Sequence, residues 1–255
     1  MKLGLISLTL LLLVEGNSVD SHHDISPQKS TKTPMIIQLT ENCVTKVDEY
    51  DPALKWNDTR YIKDYESDTK NLERGTKLSE VSLKLNGNVC PGYRMQNGDA
   101  TWAEIGTPIY QVKGYSAKFR LFVGDELYEA NESPDAKKMG ELFDVAGKVK
   151  KVTLEYYDEN TERYAVDFSE KDSKQFTDHF LTLDYVPFDE MIEKLPENRK
   201  SEFVIRFVLD DHSSFHVLYW FDDNAFTRGF GNDTIQSLVK KYAGKAKKIP
   251  SPSDQ

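Results

Sequence analysis

From residue 78 onward, apolar and polar positions alternate in short runs, the period of a half-buried β-strand. Residues 81–85 show it plainly and run into Asn86-Gly87, a turn signal. Residues 102–105 and 108–112 predict two more strands, broken by Gly106-Thr107-Pro108. Residues 119–123 and 127–130 predict a hairpin through Gly124-Asp125-Glu126. A turn-rich stretch at 131–138 leads to a short helix or apolar run at 139–145.

Beyond residue 149 the two periods take turns. Residues 149–157 and 163–168 read as a hairpin. Ser169, followed by the acids Glu170 and Asp172, caps a helix through residue 183, with Phe176, Phe180 and Leu183 on one stripe. A second short helix fits between Pro187 and Pro196. Phe203, Ile205, Phe207 and Leu209 then face one way along a strand, with Val204, Arg206 and Val208 facing the other. Residues 210–214 form a polar turn, and residues 215–221 return as an aromatic strand. Asn232 caps a final helix carrying Ile235, Leu238, Val239 and Tyr242. Lys240 and Lys241 stand in its last turn, where the helix dipole favours cations.

This order predicts an α+β fold of mainly antiparallel sheets. Its C-terminal part, 149–245, is a hairpin–helix–hairpin–helix repeat with the helices on one face. The N-terminal part, 35–148, is β-rich. Within it, 35–39 is a candidate strand. Residues 48–74 are highly charged and read as loop with a helical turn, anchored by Trp56, Tyr61, Ile62 and Tyr65.

The termini follow a different logic. Met1-Lys2 begins an uncharged run at 3–14, and Val14-Glu15-Gly16 offers a usable cleavage site. Residues 1–16 are therefore expected to be a signal peptide, cleaved or else retained as an anchor. The run is too short for ~30 Å of hydrocarbon, which needs ~20 residues. Residues 17–34 read as a polar leader, and 246–255 as a disordered tail. The first cysteine, Cys43, lies well past the apolar run, so there is no lipobox.

Composition narrows the function. The formal charge is −9, from 33 Lys+Arg against 42 Asp+Glu. Nucleic acid is therefore not an expected partner, since its binding requires a basic face. Aromatics at 11% argue for a packed core. With 2 Cys and 5 His, neither a metal centre nor a cofactor is expected. In an exported chain Cys43 and Cys90 form one disulfide or remain as two thiols.

Catalytic signatures are missing: there is no phosphate-binding Gly-Lys loop, no His-Glu-x-x-His and no Gly-x-Ser-x-Gly. The nearest cluster is Asp210, Asp211, His212, Ser213, Ser214 and His216, which holds a nucleophile, a base and an acid but in one turn. Asp222, Asp223, Asn232 and Asp233 lack the spacing of a calcium loop. Asn57, Asn131 and Asn232 open Asn-x-Ser/Thr sequons. The strand at 215–221 is either covered on both sides or leaves the face of His216, Leu218 and Trp220 open to a ligand.

One stretch is distinctive: Gly106-Thr107-Pro108-Ile109-Tyr110, Val112-Lys113-Gly114-Tyr115 and Phe119-Arg120-Leu121, followed by Tyr128-Glu129, Pro134 and Gly147-Lys148-Val149. It resembles exported or lipoprotein-like proteins of unknown function from Gram-positive, spore-forming bacteria. The likeness covers about residues 78–152. It implies a bacterial, exported protein and assigns no catalytic residue. Many of these relatives carry a lipobox cysteine, which this chain lacks.

The resulting expectation is a secreted or cell-surface, non-enzymatic protein. It binds an unidentified protein or small molecule through Tyr110, Tyr115, Arg120, His216 and Trp220. A membrane is a partner only if the N-terminal segment is retained. The alternatives are an extracytoplasmic hydrolase using the 210–216 turn, and a structural component of the envelope or spore coat.

Overall fold

The structure, a computed structural model, describes residues 51–90, 92–197, 199 and 202–250. The expected signal peptide, leader, 35–39 strand and Cys43, and residues 251–255 of the tail, lie outside the described residues. The described residues belong to one compact unit.

Two mostly antiparallel sheets make the framework. The first contains β1 (Ala53–Trp56), β2 (Thr59–Lys63), β3 (Arg74–Glu80), β4 (Leu83–Lys84), β5 (Asp99–Ala100), β6 (Pro108–Val112), β7 (Arg120–Val123) and β8 (Glu126–Glu132). Its order is β3-β6-β7-β8-β2-β1-β5-β4, and only β4–β5 is parallel. After α1 (Met139–Leu142), the second sheet begins with β9 (Val149–Tyr157) and β10 (Arg163–Asp167). The helices α2 (Glu170–Thr182) and α3 (Phe188–Lys194) follow. Then come β11 (Glu202–Leu209), β12 (Ser214–Trp220), β13 (Ala225–Phe226), β14 (Gly229–Phe230), α4 (Asp233–Ala243) and β15 (Lys247–Lys248). Its order is β14-β13-β12-β11-β9-β10-β15.

The capping signals act as the sequence predicts. Ser169 Oγ accepts from Asp172 N at 3.2 Å, and Asn232 Oδ1 accepts from Ile235 N at 3.1 Å. These bonds satisfy amides that the first helical turn leaves without partners.

Four features depart from expectation. The charged 48–74 stretch holds the β1–β2 hairpin, whose turn residues Asn57 and Asp58 both have positive φ, 49° and 60°. That is the two-residue turn whose twist matches antiparallel strands. The expected strand at 102–105 is absent, its residues forming bends and turns. Lys247–Lys248 falls within the expected tail, yet pairs with Ala165 and Tyr164, because the open edge of β10 offers unpaired backbone groups. Finally, the C-terminal hairpin–helix repeat is not confirmed: the β13–β14 ribbon and β15 interrupt it.

The helices also divide between faces. Phe176 and Phe180 of α2 meet Phe207 and Phe226, and Tyr242 of α4 stacks on Phe168 at 4.1 Å. Tyr219 packs on Phe226 from the same side. Its strand neighbour Trp220 must point the opposite way, and there it meets Met191 of α3 and Leu195 at that helix's C-terminal end. Thus α2 and α4 share one face, and α3 covers part of the other.

A single core joins the two sheets. Phe119, from the turn entering β7, lies 5.5 Å from Phe215 of β12. Phe143 stacks on Phe215 at 5.1 Å, and Phe207 stacks on it at 4.6 Å.

Candidate functional site

Arg120, expected on a binding surface, is fully buried. Its Nη2 lies 2.6 Å from Glu129 Oε1, Nη1 donates to Ser213 Oγ at 2.7 Å, and Nη2 donates to the Ser214 carbonyl at 2.8 Å. The rings of Tyr115 and Phe119 flank it at 4.9 and 4.8 Å. One arginine of the first sheet thus holds the β11–β12 turn of the second. Tyr115, also buried, donates to Asp211 Oδ2 at 2.5 Å. Burial, with the bond to Asp211 adding to it, pushes the Tyr115 phenol up to about 12.

Around this junction the charges are strongly perturbed. Burial pushes the Glu129 carboxyl up to about 7 against the attraction of Arg120, and Asp64 adds repulsion. Asp64 Oδ2 is buried with no hydrogen-bond partner among the described residues. Burial also opposes ionisation of Glu155, but Arg206 and Arg163 outweigh it and hold that carboxyl below its usual range. Arg206 reaches on to Glu66, while Ser67 Oγ accepts from Ser214 N at 2.9 Å. The segment after β2 is therefore tied to the outer face of the second sheet.

The 210–216 turn is absorbed into the same network. Ser213 Oγ donates to Asp211 Oδ1 at 2.6 Å and is fully buried. Among the described residues, neither His212 nor His216 is hydrogen-bonded to Ser213 or Ser214. Burial disfavours an ionised Asp211, but the bonds from Ser213 and Tyr115 hold its carboxyl low. The acid thus bonds a serine that also receives an arginine donor.

The remaining expected residues lie apart. Tyr110 is half-buried on β6, with the Arg74 guanidinium 5.7 Å from its ring. His216 is exposed on the outer face of β12. Trp220 is buried; its Nε1 donates to Glu202 at 3.0 Å and Arg199 lies 4.8 Å over its ring. Only Tyr115 and Arg120 are brought together. Cys43 lies outside the described residues; Cys90 is not a free thiol.

A different place gathers unspent chemistry. A cleft of about 520 Å³ opens where the β1–β2 hairpin meets the connection between α2 and α3. Lys55 and Arg60 enter it from that hairpin, Arg94 and Met95 from the segment before β5, and Tyr185 and Pro187 from beyond α2. Tyr185 is fixed there: its N–H donates to the Lys137 carbonyl at 2.9 Å, and its oxygen accepts from Ser133 N at 3.2 Å. Asp58 and Glu132 are the cleft's carboxylates.

The cations of this cleft are poorly neutralised. Arg60 and Arg94 make no ion pair among the described residues. Lys55 reaches Asp58 only at 4.0 Å. Glu132 is the register partner of Arg60 across β2–β8 and offsets part of its charge. Beside them Arg228 is buried, its guanidinium bonded to the carbonyl and amide oxygens of Asn131 rather than to a carboxylate. Burial lowers its pKa, Glu132 and Tyr185 oppose that, and Arg60 adds to it.

A larger groove, about 1030 Å³, runs beside α2 with Lys150, Lys151, Lys171 and Lys174 in its lining. Two of its lysines are already neutralised: Lys151 pairs with Asp167 at 2.8 Å and Lys174 with Asp178 at 2.7 Å. Volume alone therefore does not select it.

The sequence pointed to none of the cleft residues as a site. The usable signal was Lys55 and Arg60 flanking the Asn57-Asp58 turn, which sets them opposite one another once the hairpin is recognised. The chain matches no protein-family model, no curated protein and no solved structure.

Proposed function

We propose that this is an exported, non-enzymatic binding module of the bacterial cell surface. The observation that carries the binding reading is the cleft: a concave site between two chain regions, with apolar side chains in its lining and two arginines that make no ion pair among the described residues. The tied-up Ser213 hydroxyl supports a non-catalytic role for the 210–216 turn. Export rests on the basic start and uncharged run of residues 1–16.

Two measurements test this. Cells are fractionated into medium, wall and membrane, and the mature N-terminus is read by mass spectrometry. A chain beginning at Met1 in the cytosol removes the exported assignment. A fragment set of mixed charge is then screened by NMR, with shifts expected at Met95, Tyr185 and their neighbours. Silence there across the set removes the cleft as a binding site.

A further inference from the structure

Lys55 and Arg60 are direct cross-strand partners in the β1–β2 register. Like charges placed opposite each other destabilise a strand pair, where opposite charges would stabilise it. The cleft adds Arg94 to this pair, and Arg228 is close enough for Arg60 to disfavour its charged form. Asp58 and Glu132 offset this concentration only in part, in a chain whose overall charge is −9. Guanidinium groups present planar forks that match two oxygens of one anion. Met95, Tyr185 and Pro187 add apolar surface to the same lining.

We infer that the cleft takes a small organic anion, its carboxylate or phosphate held between Arg60 and Arg94 and its apolar part laid on Met95, Tyr185 and Pro187. This rests on the cleft being the binding site. The anion relieves the repulsion among the cations, and the apolar part leaves water. A volume of about 520 Å³ suits a ligand of small-molecule size.

The test is titration calorimetry on the secreted chain with three probes: N-acetyl-phenylalanine, its uncharged amide, and phenyl phosphate. The acid or the phosphate ester is expected to bind at least tenfold more tightly than the amide, and the preferred one identifies the oxyanion. The double variant R60Q/R94Q is expected to lose at least tenfold in affinity, while K174Q in the larger groove binds as the wild type. Arg60→Gln removes both the Lys55 repulsion and the attraction to Glu132 across β2–β8, so its unfolding midpoint stays close to that of the wild type. Equal binding of acid and amide overturns the anion but leaves the cleft as a site. No binding of any probe overturns the anion as well, and the fragment screen then decides the fate of the cleft. A lowered midpoint for Arg60→Gln makes Arg60 a structural residue and also overturns the inference.

Discussion

Arg120 and Glu129 are register partners on β7 and β8, and their side chains meet at 2.6 Å inside the junction of the two sheets. Because Arg120 also grips Ser213 and the Ser214 carbonyl, this pair couples intra-sheet pairing to inter-sheet packing. Removing one partner of a buried ion pair strands the other charge in a poorly solvated place. Arg120→Met is therefore expected to lower unfolding stability by about 3–5 kcal/mol, read by urea denaturation. Converting Glu129 to Met as well should recover part of that loss, since no charge is then left alone. A single-variant cost below about 1 kcal/mol would show the junction to be held by its aromatic packing instead.

Glu129 makes the junction sensitive to pH. Its folded-state carboxyl, raised to about 7 from an ordinary 4.5, favours the neutral form. The corresponding stability is fully present below the ordinary value and is lost as pH rises through about 7. Asp211 and Glu155, held low, act in the opposite sense and titrate below this window. Relative to E129Q, the wild type is expected to lose up to about 3 kcal/mol between pH 4 and pH 8. Denaturation curves of both proteins at the two pH values check this, and parallel behaviour would mean Glu129 ionises normally.

How far the sequence reveals this architecture depends on the range of the interactions involved. The β9–β10 hairpin, α2 and α4 were legible because their apolar stripes and the caps Ser169 and Asn232 are local features. The β1–β2 hairpin was not, since Lys55, Asp58 and Arg60 mask its period-two pattern and the turn uses Asn-Asp rather than Asn-Gly. Arg120 sits in a stretch read as surface, and only a contact 93 positions away in sequence, to Ser213, explains its burial. The cleft is less legible still. Arg94, Glu132 and Tyr185 have no common local pattern and meet only once the α2–α3 connection docks beside the first sheet.

The glycines separate steric need from backbone entropy. A Cβ at Gly229 would stand 2.4 Å from the Asp184 carbonyl oxygen, at a place where the chain cannot move without breaking the Val186 N–H bond to Arg228. Gly229→Ala is expected to destabilise by about 1–3 kcal/mol or more, as overpacking does. Gly244 has φ −71°, and nothing lies within 4 Å of its added Cβ. There Ala restricts the unfolded chain without straining the folded one and should stabilise by about 0.4–1 kcal/mol. Thermal unfolding of both variants checks the opposite signs.

The last prediction concerns Cys90, which lies between β4 and β5 and is not free. In an exported chain its partner is expected to be Cys43, the only other cysteine. A bridge of that span closes a loop of about 48 residues, which on chain-entropy grounds stabilises by up to about 4 kcal/mol. Protein isolated without reductant should then resist alkylation until it is reduced, and gain the mass of two hydrogens on reduction. Cys90→Ser should lower the unfolding midpoint, and C43S/C90S should lower it no further, because the two thiols act as one bond. Rapid alkylation of both cysteines without reductant, or additive effects of the two substitutions, would rule the bridge out.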